Sequence, residues 1–129
     1  METKIAFVIE PNGNSKKLEF NNDNALKLFQ QEVGGLIQPV AVGLGLEAYV
    51  NEEGLMKGLP INPMASALAT EHFLEFLPAG EDYLLVGNAV FVGVVDEQGY
   101  STSLTENQII MLDTLAKIGA LVYQVEKPF

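Results

Sequence analysis

The sequence contains no cysteine, no arginine and no tryptophan, and it has a single histidine. Without cysteine the chain can form neither a disulfide nor a thiolate metal site, and it has no thiol nucleophile. Without arginine it lacks the forked donor that proteins commonly use to read guanine. Seven lysines stand against 17 acidic residues, which gives a formal net charge of -10. Because proteins that hold nucleic acid through its phosphates need a clustered cationic surface, this balance argues against direct nucleic-acid binding.

Targeting signals are also missing from the sequence. Residues 1–4 provide no basic region followed by a long apolar stretch, which a secretory signal peptide requires. The longest apolar run covers residues 84–95, and Gly87, Asn88 and Gly93 interrupt it. That run is too short to span a bilayer. We therefore expect a cytoplasmic protein with no membrane segment.

The length and the apolar periodicity predict one α+β domain over residues 1–129. We expect an antiparallel or mixed sheet of short, hairpin-linked strands, with about three helices packed on one face of it. A first helix begins after Asn22 or Asp23 and ends at Gly34-Gly35, because glycine accepts the left-handed conformation of a helix C-terminus. Two further helices are predicted at 63–76 and 106–117, and strands at 5–9, 16–20, 36–42 and 121–125.

Acidic pairs occur in two similar segments, 50–54 and 95–99, each of which follows an apolar run and ends in glycine. Both are predicted hairpin tips. The pairs are Glu52-Glu53 and Asp96-Glu97, and solvation at a hairpin tip is the interpretation that we favour for them. The functional alternative is an acidic surface presented to a basic partner, which could imitate the phosphates of DNA.

One segment combines two prolines, a glycine and a lysine directly before a predicted helix start. A helix N-terminus offers free amides and the positive end of a dipole to an anion. A rigid connection capped by an asparagine is the structural alternative, and we favour it. If the chain holds a small ligand, we expect it at this segment, whose candidate residues are Lys57, Gly58, Leu59, Pro60 and Asn62.

The histidine lies between two glutamates on the predicted helix 63–76, as Glu71, His72 and Glu75. These three residues are a weak candidate for a metal site, because one histidine supplies too few nitrogen ligands for a usual catalytic zinc. A partly exposed structural histidine is the favoured interpretation. The sequence has no serine-hydrolase elbow, no phosphate-binding loop motif and no dinucleotide fingerprint, so it indicates neither catalytic residues nor a cofactor.

Three stretches resemble a known family. They are EVGGLIQ at 32–38, AYVNEEGLMKGLPIN at 48–62 and LVGNAVFVG at 85–93. Together they are similar to domain of unknown function 3846, a small domain of phages, plasmids and their bacterial hosts, and the resemblance covers roughly residues 5–105. It implies an origin in a mobile element or its host, and hence the host cytoplasm. It carries over no catalytic residues.

These observations favour a non-catalytic binding protein over an enzyme. It would act on a host protein or a small ligand, and blocking a host defence system is one form of that role. A nucleotide-binding sponge and a small metal-dependent enzyme using the scattered carboxylates are the alternatives. The sequence leaves open whether the chain is a monomer, a dimer or a larger homo-oligomer.

Overall fold

A computed structural model describes residues 2–126 of the chain. The elements follow each other as strands, helices and one short 3₁₀ turn. In chain order they are β1 (Lys4–Ile9), β2 (Ser15–Phe20), α1 (Ala25–Val33), β3 (Ile37–Gly43), β4 (Leu46–Asn51), α2 (Pro63–His72), the 3₁₀ turn Leu74–Phe76, β5 (Ala89–Val95), β6 (Ser101–Thr102) and α3 (Glu106–Glu126).

The strands form one antiparallel sheet in the order β2-β1-β5-β4-β3, and the short β6 pairs with β5 beside this path. Phe7 of β1 lies opposite Phe91 of β5, and Ala48 of β4 lies opposite the same Phe91. The centre of the sheet is therefore β1, β5 and β4, while β2 and β3 are edges. This confirms the predicted single-domain α+β fold. Of the antiparallel and mixed sheets that the sequence left open, the structure has the antiparallel one.

The helices cover both faces of the sheet, so the expectation that they share one face is wrong. One face packs Ile9 and Phe91 against Leu112 of α3 and Ala65 of α2. The other packs alternate residues of the same strands, such as Val8 and Val90, against α1. The physical reason is that β5 is apolar at successive positions, and such a strand needs cover on both sides.

Local signals set most element ends. Gly34 follows α1 with φ of 77°, and its amide donates to the Gln30 carbonyl. The predicted capping box of α3 is present, because Gln108 N donates to Thr105 Oγ1 at 3.2 Å and Thr105 N donates to Gln108 Oε1 at 2.9 Å. Asn62 caps α2 by accepting from the Ala65 amide. For α1 the cap differs from the prediction: Asn24 is its N-cap residue, without a side-chain cap bond.

Two further predictions are wrong. Residues 121–125 are not a strand but continue α3 to Glu126. Gly119, which could have stopped the helix, instead faces Met64, where a Cβ would collide, so it permits close packing of α3 on α2. The segment 50–54 is not a hairpin tip. Its first two residues belong to β4 and pair with β3, and the chain then continues through turns to Ile61, which bridges to Val86. The segment 95–99 does join β5 to β6.

Candidate binding site

Three asparagines join one end of the sheet to the neighbouring helices. Asn51 Nδ2 donates to the Val33 carbonyl at 3.0 Å, and Asn88 Nδ2 donates to the Glu32 carbonyl at 2.9 Å. The two amides thereby satisfy carbonyls that the last turn of α1 leaves without helical partners. Asn62, at the start of α2, is fully buried. Its side chain donates to the carbonyl of Ile9 at the end of β1 and to the carbonyl of Gly87 before β5.

A cavity of about 420 Å³ lies at this end of the sheet, and we refer to it as the sheet-end pocket. Its walls come from the β1–β2 turn, the end of α1, the segment before α2 and the residues before β5. Most of the wall is apolar, and Glu10 is the one charged residue among the described residues that line it. The lining residues are Glu10, Pro11, Asn12, Val33, Leu59, Pro60, Ile61, Gly87 and Asn88.

A second, larger concavity of about 610 Å³ lies beside the edge strand β3, and we refer to it as the edge groove. Leu55 and Met56, on the turn after β4, form one wall and are strongly exposed. Residues on the loop between the 3₁₀ turn and β5 form another. The lining residues are Gln38, Val40, Val50, Asn51, Glu52, Leu55, Met56, Leu77, Asp82, Tyr83, Leu84, Leu85 and Val86.

The predicted ligand segment is divided between several environments. Leu59 and Pro60 line the sheet-end pocket, Gly58 is exposed in the turn, and Asn62 is a buried cap whose polar atoms are occupied. The Lys57 ammonium lies at the other helix, since its Nζ would be 3.3 Å from a Cβ added at Gly35, just after α1. A cation there faces the negative end of the α1 dipole. The lysine and the α2 N-terminus are therefore not combined into an anion site.

The weak metal candidates Glu71, His72 and Glu75 are all exposed near the end of α2. The His72 ring packs edge-on against Phe73, with 4.7 Å between ring centroids, and lies over Gly43, the last residue of β3 before the β3–β4 turn. This turn is at the end of β4 opposite to the sheet-end pocket. Among the side chains that the structure describes, no three histidine or acidic groups come together in a way that could hold a metal ion.

The two acidic pairs lie at opposite ends of the sheet. Glu52 and Glu53 follow the end of β4, whereas Asp96 and Glu97 follow the end of its antiparallel neighbour β5. Because β4 is six residues long, its two ends are about 17 Å apart at 3.3 Å per residue. Glu52 lines the edge groove, and the other three carboxylates line neither of the two concavities described above. The four carboxylates therefore do not form one cluster.

The surroundings of Glu47 perturb its carboxyl. It lies on β4 between two core residues and is partly buried, and this burial raises its pKa above the ordinary value of 4.5 because the charged form loses hydration. It lines neither of the two concavities described above. We therefore attribute its shift to its place in the sheet.

Sequence reasoning missed most of the pocket and the groove. The stretch 10–13 is recognisable only as a turn, although Glu10 and Asn12 line the sheet-end pocket. Gly87 and Asn88 belong to one of the stretches that carry the resemblance, but nothing local ties them to Pro60. A usable signal was the adjacency of Leu55 and Met56 in a segment rich in turn residues, where burial of both is difficult. No cue in the sequence points to Tyr83 or Val86 of the edge groove.

Comparison with protein-family models matches residues 3–117 to the family described as Domain of unknown function (DUF3846). The match extends past the predicted limit near residue 105 and includes the first half of α3. No curated protein and no solved structure matches the chain. No helix in residues 2–126 has the length and apolar character to cross a membrane.

Proposed function

The chain belongs to the family of domain of unknown function 3846, and we propose that it is a non-catalytic binding protein that holds a segment of a partner protein in the edge groove. One observation carries the proposal: Leu55 and Met56 are 77% and 86% exposed on the wall of this groove. Leu84, at 48%, continues the same apolar lining. Exposed apolar side chains that surround a concave surface are typical of interaction sites.

The charge of the groove favours a basic partner segment. Glu52 and Asp82 line it, and no lysine in the described part of the chain does. The net charge of -10 adds a long-range attraction for cationic partners and a repulsion of nucleic acid. The preferred occupant is therefore a stretch that carries apolar side chains together with lysine or arginine.

The edge strand beside the groove favours recognition through side chains. Gln38 and Val40 of β3 line the groove, and the exposed Pro39 lies between them. Proline has no amide hydrogen, so it interrupts the row of donors that an added strand would need. We propose that the partner segment fills the groove with its side chains rather than extending the sheet.

The mobile-element setting that the family resemblance implies suggests a host protein as the partner. Interference with a host defence protein is one role that such binding would serve. A small, acidic, non-catalytic protein could fulfil it simply by occupying a basic surface of its target, which is the mimicry that the composition suggests.

The experiment measures fluorescence anisotropy with a labelled peptide of alternating leucine and lysine as the probe, and with a leucine–glutamate peptide as its charge control. The double variant Leu55→Ser, Met56→Ser removes the apolar wall without a change of charge. The matched control is Leu26→Ser on α1, which removes a leucine that is 58% exposed.

We expect the double variant to weaken binding of the basic peptide at least tenfold, because burying each side chain is worth about 1.5–3 kcal/mol and about 1.4 kcal/mol is a factor of ten. Leu26→Ser should leave the affinity unchanged. Equal binding of the acidic peptide, or an unchanged affinity of the double variant, would refute the proposal.

A further inference from the structure

The sheet-end pocket shares no lining residue with the edge groove, and its size and lining are typical of small-molecule sites. Its volume of about 420 Å³ lies within the range of ligand pockets, which is roughly 300–1,000 Å³. The wall has two rigid residues, Pro11 and Pro60, together with apolar surface from Val33, Leu59 and Ile61. Such a wall accepts the apolar body of a small ligand.

Hydrogen bonds to backbone carbonyls hold the pocket in shape. The Gly87 amide donates to the Pro60 carbonyl at 2.7 Å, and Asn62 Nδ2 donates at 2.9 Å to the carbonyls of both Ile9 and Gly87. Gly87 has φ of 75°, and a Cβ there would lie 2.9 Å from Leu59 Cδ1. The walls are thus fixed relative to each other, so ordering them on ligand binding would cost little free energy.

Two of the three polar side chains that line the pocket, Glu10 and Asn88, present hydrogen-bond acceptors, while the oxygen of the third, Asn12, accepts from the Asn14 amide. Among the side chains that the structure describes, Glu10 supplies the only charge in the lining, and none of them forms an ion pair with it. Asn88 uses its Nδ2 to cap α1, and its oxygen receives no hydrogen bond from the described residues. None of the described lysines lines the pocket. This set repels a phosphate or carboxylate and suits a cation that donates several hydrogen bonds.

We infer that the sheet-end pocket binds a small organic cation, an amine or an amidinium-type group on an apolar body, with Glu10 as its counter-ion. The apolar body lies against Pro60 and Ile61, and the cationic head donates to the Glu10 carboxylate. This site neither requires nor contributes to occupation of the edge groove.

The test uses a matched set of aromatic probes: benzamidine and benzylamine as cations, benzyl alcohol as the neutral analogue and benzoate as the anion. Each is titrated into the full chain labelled with ¹⁵N, and amide shifts are followed at Gly87, Asn88 and Asn12. Glu10→Gln removes the charge with little change of shape. Glu19→Gln, on the exposed side of β2, removes one equal charge elsewhere and is the control.

We expect both cations to shift these amide signals at millimolar concentration. Glu10→Gln should weaken the affinity for both cations at least fivefold, whereas Glu19→Gln should leave it unchanged. Ile61→Ala should weaken the binding of benzamidine and of benzyl alcohol by the same factor, because it reduces only the apolar wall. The inference is overturned if neither cation shifts these amides, if benzoate binds as well as benzamidine, or if Glu10→Gln leaves benzamidine binding unchanged.

Discussion

Replacement of Asn62 is the sharpest test of how the end of the sheet is held together. Its side chain is fully buried and makes three hydrogen bonds: Oδ1 accepts from the Ala65 amide at 3.2 Å, and Nδ2 donates at 2.9 Å to the carbonyls of Ile9 and Gly87. Loss of a helix cap costs about 1 kcal/mol, and loss of each bond to a buried carbonyl costs about 1 kcal/mol more. Asn62→Ala should therefore lower the free energy of unfolding by about 3 kcal/mol.

Urea unfolding followed by circular dichroism measures this loss. A domain of this size has an unfolding entropy of about 0.27 kcal/mol/K at 2.1 cal/mol/K per residue, so the midpoint of thermal unfolding should fall by about 11 °C. Asn62→Ser separates the contributions, because serine can still cap α2 but cannot donate to both carbonyls. It should recover about 1 kcal/mol.

Asn107→Ala, at an exposed position of α3, is the matched control and should change the stability by less than about 0.5 kcal/mol. A loss below about 1 kcal/mol for Asn62→Ala would refute the argument that this side chain clamps the sheet end. An Asn62→Ser variant as unstable as Asn62→Ala would refute the separate contribution of the cap.

Two further predictions concern the face of the sheet that α1 covers. Phe29 is 2% exposed and packs against Phe20 and Tyr49 at centroid distances of 5.1 and 5.3 Å, so Phe29→Ala should cost about 3–5 kcal/mol by urea unfolding. A loss below about 2 kcal/mol would contradict that packing. Burial raises the pKa of Glu47, so the folded state binds its proton more tightly than the unfolded chain and its charged form opposes folding at neutral pH. Glu47→Gln should raise the melting temperature at pH 7, and the gain should vanish as the pH falls below the ordinary value of 4.5; an equal gain at both pH values would contradict it.

The part of the fold that could be predicted depends on interactions within a few residues of each other. The capping box of Thr105 and Gln108, the cap at Asn62 and the left-handed Gly34 each involve neighbours in the chain, so their residue types alone indicate them. The wrong strand at 121–125 shows the limit of this reasoning. Its composition favours a strand, but the helix begun at Glu106 continues through it.

The site could be predicted only in fragments. Leu59 and Pro60 were identified as part of a candidate ligand segment, and they do line a pocket, but the expected cation Lys57 lies at the end of α1 instead. The charge that the described residues bring to the pocket is that of Glu10, which is about 50 residues earlier in the chain. Nothing in a turn sequence shows which distant segment will pack beside it.

The sequence by itself determined the acidic charge, the absence of thiol and arginine chemistry, the α+β class and most helix and strand ends, because these depend on composition and on short-range geometry. Only the tertiary structure decided that α1 and the other two helices cover opposite faces, that the acidic pairs lie apart, and that Glu10, Pro60 and Asn88 share one pocket. The physical reason is that strand order and buried long-range hydrogen bonds bring these residues together. Both result from packing the whole chain at once and leave no periodic or local mark in the sequence.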